Sequence, residues 1–433
     1  MFSYSDLLVL LSIALNPLLY RMGYLFFILN ILLQILLVVV EKETFSTKIW
    51  KIYILSFMYF GVKVFGIKLY DLVMFAIIIF LFSNRVVLKV TYLEMTKILL
   101  FVSYIIIVWL INGYYVEGAV EISRYILSII LFVLFANIKP NLKSVMMFIL
   151  FLVIGNIIQS VVLYGLIVNN EVSHFTSSVI SIDFFNDLRE TRLSGFFTDP
   201  NKFLCFLFFL FVVYEYFYGN VKAFVTKKER FFAHVILYTG MLITFSRTAL
   251  LSLAVYLLLL IYQKFFQGNK MVFIVVMIVV MIFVAIDARN NYKIMNFLLV
   301  KSTEILGRQR TLEINSNIME ENRYLIFKEA LRCIKDKALI GYGPYSYSRL
   351  LPYPPHNTFI TLMMDYGVIG LLIFFVLVSP LSKIKISLLI PFILVPSLLF
   401  DLNNFRLYYI LLAVVSSKHY RNSVCNKEVD GFN

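Results

Sequence analysis

The feature that most constrains this chain is a recurrence of apolar runs, each about 15 to 20 residues long. Wound as helices rising about 1.5 Å per residue, such runs match a hydrocarbon core of about 30 Å. Of the 433 residues, 61% are hydrophobic and 15% charged, and the mean hydropathy is +0.88. A soluble domain has about a quarter of its residues charged. Lipid offers the backbone no hydrogen-bond partners, so only helices and closed barrels cross it, and barrel strands would show short polar/apolar alternation instead. The sequence therefore predicts an all-α polytopic membrane protein, with residues 1–433 forming a single integral membrane domain.

Spans are expected near 4–20, 23–40, 52–67, 69–83, 98–113, 119–137, 145–168, 201–218, 232–246, 248–263, 271–287, 357–379, 384–400 and 404–417. The first run lacks a preceding basic stretch and a small-residue cleavage site, so it is expected to remain as a span. With the N-terminus inside, the cytoplasmic loops carry Lys42, Lys48 and Lys51; Arg85, Lys89 and Lys97; Lys139 and Lys143; Lys222, Lys227, Lys228 and Arg230; Lys264 and Lys270; and Lys383. Lys and Arg gather in cytoplasmic loops. This pattern implies about 12–14 spans with both termini cytoplasmic. The short segments 52–67 and 404–417 could also be re-entrant, and twelve spans is the main competing count. The net charge of +14 is used up in these orientation clusters, so nucleic acid is not an expected partner. Cys205, Cys333 and Cys425 show no metal-type spacing.

Two polar segments then fall on the outer side, 169–200 and the larger 288–356. Long loops with structure of their own are where function concentrates. In the larger one, Phe327, Ala330, Leu331, Ile334 and Ala338 recur at helical spacing, which predicts an amphipathic helix along the membrane surface, closed by Gly341.

The stretch GYGPYSYSRLLPYPPHNTFITLMMDYGVIGL (341–371) brings His356 and Asn357 to the first turn of an apolar helix, an expensive place for polar groups. Pro352, Pro354 and Pro355 stiffen the approach. An imidazole with an ordinary pKa of about 6.5 can take a proton from a sugar hydroxyl near neutral pH, although a histidine there can also be a mere interfacial anchor. Tyr342, Tyr345, Tyr347 and Tyr353 can stack on sugar rings, as well as simply anchoring at the interface. In RLSGFFTDPNKF (192–203), Asp199 or Asn201 can cap a helix opened by Pro200, and Arg192 can fork onto a phosphate. Arg247, in TFSRTALLS, occupies a tight outer turn against the charge bias. Arg323 heads the outer helix. Gly367 and Gly370 read as close-packing positions. There is no Walker A loop, HExxH or GxSxG.

These segments, RLSGFFTDPNKF (192–203), FSRTALLSL (245–253), NRYLIFKEALRCIKDKALIGYGPYSY (322–347) and HNTFITLMMDYGVIG (356–370), make the chain resemble the bacterial O-antigen ligase/polymerase superfamily, most closely its Wzy-type polymerases. The resemblance implies a GT-C-related, metal-independent, inverting glycosyltransferase with no cofactor. It implies substrates that are undecaprenyl-diphosphate-linked oligosaccharides, a place in the inner membrane with the site on the periplasmic face, and a chain-length regulator as a possible protein partner beside membrane lipid. Carried onto this sequence, His356 is the base, Arg192 and Arg247 hold the diphosphate leaving group, and Arg323 helps hold the loop or the donor. Asp199, Asn201, Asn357 and Tyr342 complete the expected substrate contacts. A ligase handing the finished glycan to lipid A core or protein uses the same donor chemistry. A flippase is a third reading, set aside because transporters tend toward broken helices and midplane charges, whereas here the polar signal gathers in the outer loops.

Overall fold

A computed structural model describes residues 4–64, 67–83, 88–113, 115–168, 175–176, 180–182, 197, 200–221, 225–244, 246–265, 316–351, 353–399, 402 and 406–417. The expected span 271–287 lies outside these residues. The N-terminal helices are α1 (Tyr4–Met22), α2 (Tyr24–Val40), α3 (Phe45–Phe57), α4 (Leu69–Ser83), α5 (Tyr92–Ile111), α6 (Val116–Asn137) and α7 (Leu142–Val168). They are followed by α8 (Pro200–Val221), α9 (Lys227–Ile243), α10 (Arg247–Phe265), α11 (Ser316–Asp336), α12 (Tyr347–Leu350) and α13 (Thr358–Val378). The chain closes with α14 (Ile386–Leu389), a π-helical turn (Ile390–Leu394), α15 (Val395–Leu399) and α16 (Arg406–Ser416).

Among the described residues, six helices are long and apolar enough to cross a membrane, and five further apolar helices are shorter. The protein is an all-α polytopic membrane protein. Thr91 with Glu94 and Thr226 with Glu229 form reciprocal capping boxes that fix the starts of α5 and α9. Buried amides tie the first helices together. Asn16 Nδ2 donates to Tyr59 Oη at 2.7 Å and to Gln159 Oε1 at 2.8 Å, while Asn30 Nδ2 donates to Asn16 Oδ1 at 2.8 Å. Apolar surface gives little drive for helix association in lipid, so such interhelical bonds specify the packing.

The expected span 52–67 is corrected. Helix α3 stops at Phe57, and Gly61 with the β-branched Val62, Val64 and Ile67 turns the chain into extended structure. Strand β1 (Val62–Val64) pairs antiparallel with β2 (Ile67–Lys68) and with β4 (Ile180–Ile182), which pairs in turn with β3 (Phe175–Thr176). The order is β2-β1-β4-β3. The first polar segment thus reaches back to cover the 62–68 hairpin. At 11 residues, α16 is too short to cross about 30 Å by itself.

Helix α11 forms where expected, with a different inner face. Ile326, Ala330 and Ile334 pack with Leu351, Ile360 and Met364, while Phe327 and Leu331 stay exposed. Gly341, with φ 78, donates its N–H to Lys337 O at 3.0 Å and ends the turn that follows this helix.

Candidate active site

Helix α13 is broken, and the break organises the site. Gly367 has φ 65 and ψ −171, outside helical geometry. A break in a membrane helix leaves backbone groups without intrahelical partners, which is tolerated only where protein supplies others. Here the segment after α11 supplies them. Tyr342 N donates to Met364 O at 2.8 Å and Gly343 N to Asp365 O at 2.8 Å. In the other direction Val368 N donates to Ala338 O at 2.8 Å and Ile369 N to Leu339 O at 3.3 Å. Tyr104 Oη, from α5, donates to Tyr366 O at 2.8 Å. A Cβ on Gly367 would lie 2.2 Å from Leu339 O, and one on Gly341 would lie 2.6 Å from Asp365 O. Gly367 is therefore more than the packing position expected of it; only glycine combines this φ with this approach. Gly370 is a close-packing position, since a Cβ there would come 2.2 Å from Tyr366 Cβ and 3.0 Å from Tyr104 Cε1.

Asp365, at the break, is buried and accepts from Ser346 N at 2.9 Å, Ser346 Oγ at 2.6 Å and Tyr345 N at 3.0 Å. It thereby holds the start of α12, including Tyr345 at φ 63. The α5–α6 turn supports the same segment. Lys337 Nζ donates to Asn112 Oδ1 at 2.9 Å, and the Tyr115 hydroxyl donates to Pro344 O. Burial pushes the Tyr115 phenol up, which keeps it a neutral donor. The Arg349 guanidinium stacks 3.6 Å from the Tyr115 ring centre and donates to Tyr342 O at 3.0 Å.

From α12 the chain passes Leu351, Pro354 and Pro355 to His356, which is exposed and has φ 49. Left-handed backbone is rare for a residue with a Cβ and costs about 1 to 3 kcal/mol unless the surroundings enforce it. Asn357 is part of that enforcement. Its side-chain oxygen accepts from Phe359 N and Ile360 N, capping α13, and its Nδ2 donates to Leu398 O at 3.0 Å. Thr358 Oγ1 accepts from Leu402 N at 2.8 Å. His356 thus stands on a helix start fastened to the α15–α16 connection.

Of the other expected site residues, Tyr342 lies on the paired strand of backbone beside the α13 break, with Lys337 Nζ 4.8 Å from its ring centre. Asn201 is the second residue of α8 and accepts from Ser246 Oγ at 3.4 Å, which joins the segment around 192–203 to the one around 245–253. Arg247 opens α10 and Arg323 lies in α11. Their side chains, together with Arg192 and Asp199, lie outside the described residues.

Sequence reasoning passed over Asp365 and Arg406. Arg406 Nε donates to Asp71 Oδ1 at 3.1 Å, and its Nη1 donates to Arg124 O at 2.7 Å and Ser128 Oγ at 2.8 Å, pinning α16 to α4 and α6. The signal was present in both cases: Asp365 is the only charged residue between 357 and 379, and intramembrane charges mark structural or functional sites.

Residues 232–375 match the family described as O-antigen ligase. The matched segment covers roughly a third of the chain and runs from α9 through most of α13, so it contains Arg247, Arg323, Tyr342, His356 and Asn357. No curated protein shows significant similarity to the chain.

Proposed function

We propose that the chain belongs to the O-antigen ligase/polymerase superfamily and polymerises lipid-linked oligosaccharide repeat units, moving the growing glycan from undecaprenyl diphosphate onto the next lipid-linked unit at the periplasmic face of the inner membrane. The observation that carries the reading is the placement of His356. It is an exposed imidazole in left-handed backbone, fastened at the mouth of α13 by the Asn357 cap and preceded by two prolines, inside the matched segment.

In the proposed reaction, His356 takes the proton of the acceptor hydroxyl as its oxygen attacks the anomeric carbon. The new C–O glycosidic bond forms on the opposite face while the bond to the diphosphate oxygen breaks, so the configuration inverts. The leaving diphosphate departs with the electron pair, and Arg192 and Arg247 stabilise its charge. Arg323, Asp199, Asn201, Asn357 and Tyr342 contribute to holding donor and acceptor. A lipid diphosphate is already an activated donor, so alignment and charge stabilisation supply the rate.

The ligase reading has one observation in its favour, the description of the matched family. The broken α13 removes an unbroken bundle as an argument against a transporter, yet the break is closed by backbone pairing to 338–343. The surface-glycan ladder of a deletion strain decides among these readings. A single repeat unit on the acceptor supports polymerase, polymer retained on the lipid carrier supports ligase, and an unpolymerised lipid-linked unit trapped inside supports transport.

A further inference from the structure

The functional reading leaves unused a cavity of about 480 Å³ between α8, α9 and α10. Tyr218, Phe231, Tyr256 and Leu260 form its apolar walls, and Lys227, Arg230 and His234 supply its polar lining. Cavities of about 300 to 1,000 Å³ are the usual size for holding a small molecule or a headgroup. This one lies far from the candidate active site. At about 1.5 Å per residue, Tyr218 stands about 25 Å along α8 from Asn201, the residue that joins Ser246 at the other end of the α8–α9 pair. The cavity thus sits beside the basic 219–231 loop, the side on which Lys and Arg gather.

Its polar lining is held in place before any ligand arrives. Arg230 Nε donates to Glu215 Oε1 at 3.1 Å and its Nη2 to Glu215 Oε2 at 2.6 Å, while the guanidinium stands 4.4 Å from the Tyr218 ring centre. A planar fork fixed in this way loses little freedom when its remaining edge meets a phosphate. His234 Nε2 lies 2.7 Å from the same Glu215 Oε1, and its Nδ1 lies 3.4 Å from Tyr238 Oη. Glu215 is therefore shared by two partners. Glu229, the acidic residue of the first α9 turn, is folded back to accept from Thr226 N at 2.6 Å. The exterior around the cavity is apolar. Phe231, Phe232 and Val235 of α9 and Leu257, Leu260 and Ile261 of α10 are exposed, and side chains of this kind on a membrane protein match acyl chains. Basic pockets between membrane helices at the cytoplasmic side take anionic lipid headgroups.

We propose that this cavity binds the headgroup of an anionic glycerophospholipid, with Lys227 and Arg230 on the phosphate oxygens and Tyr218, Phe231 and Leu260 along the glycerol and the first acyl carbons. The site does not rest on the proposed function, and it is distinct from the place where a glycan would be transferred. A free phosphate could use the same two cations; the exposed apolar side chains of α9 and α10 favour the lipid.

The test uses the full chain in neutral detergent, titrated with phosphatidylglycerol, phosphatidylcholine, undecaprenyl phosphate or inorganic phosphate, with bound ligand counted by native mass spectrometry. The variants are Lys227→Gln, Lys227→Arg, Leu260→Trp, which fills the cavity and leaves its charges, and Lys228→Gln, a neighbouring lysine that does not line it. All four spare the Arg230–Glu215 pair, so each is expected to fold, and the unfolding temperature checks this. Phosphatidylglycerol should bind wild type more tightly than phosphatidylcholine does. Its affinity should fall about fivefold in Lys227→Gln and about tenfold or more in Leu260→Trp, recover in Lys227→Arg and stay unchanged in Lys228→Gln. Equal binding of the two phospholipids, an equal loss in Lys228→Gln and Lys227→Gln, or unchanged affinity in a folded Leu260→Trp overturns the site. Inorganic phosphate that binds as tightly as phosphatidylglycerol, or undecaprenyl phosphate that alone shows the Lys227 dependence, overturns the phospholipid as its occupant.

Discussion

Ser346 donates twice to Asp365 Oδ1, through its amide at 2.9 Å and its hydroxyl at 2.6 Å. With Tyr345 N on Oδ2, this carboxyl group organises the loop that leads to His356 and closes the break in α13. The expected consequence is that Asp365→Ala, which leaves buried donors without an acceptor, destabilises the protein by about 2 to 4 kcal/mol. Thermal unfolding in detergent measures it, and Ser346→Ala should cost less because only the hydroxyl bond is lost.

Gly367→Ala should be among the most damaging single-methyl changes in the chain. The new Cβ would meet Leu339 O at 2.2 Å in a backbone of φ 65. Gly219, whose added Cβ meets nothing within 4 Å and which lies within α8, is the matched control. Gly219→Ala should be neutral or stabilising by up to about 1 kcal/mol. Comparable unfolding temperatures for the two variants would contradict the account of the break.

At His356, backbone and imidazole make opposite demands, so two substitutions separate them. His356→Gly relieves the left-handed strain and should leave stability equal to or about 1 kcal/mol above wild type, while abolishing glycan transfer. His356→Ala should lose transfer just as fully and keep the protein in the membrane. Transfer retained by the glycine variant would remove the imidazole from the mechanism.

Lys68 should make stability pH-dependent. Burial, and then the charges of Lys202 from α8, Arg124 from α6 and Lys63 from β1, bring its ammonium down from the usual 10.5 to about 7, with Asp71 from α4 acting the other way. A folded value below the unfolded one means that stability rises with pH between about 7 and 10.5, and Lys68→Met should remove that rise when chemical unfolding is measured across this range.

Much of this organisation was legible because it is local. Apolar runs announced α1, α2, α4–α8 and α13 within a few residues, and Thr-x-x-Glu patterns sat at the starts of α5 and α9. The polar pair His356–Asn357 stood out against the helix it opens. What was hidden depends on partners distant in sequence. MMDYGVIG reads as continuous helix, and its break exists because residues 338–343 satisfy the freed groups. The apolar stretch 52–67 reads as a span, and its extended part exists because Ile180–Ile182 pairs with it. Lys68 and Lys202 meet only through that hairpin, so neither could be singled out from its own neighbourhood.

The central claim is glycosyl transfer driven from the α13 mouth, and reconstitution tests it most directly. Purified wild type and His356→Ala are each given an undecaprenyl-diphosphate-linked repeat unit, and glycan length and released undecaprenyl diphosphate are followed together. The account predicts chains longer than one unit, one diphosphate released per linkage formed, and neither product from His356→Ala. Wild-type protein that binds the lipid-linked unit yet forms no linkage with any acceptor, or a His356→Ala variant that extends chains at the wild-type rate, would contradict it.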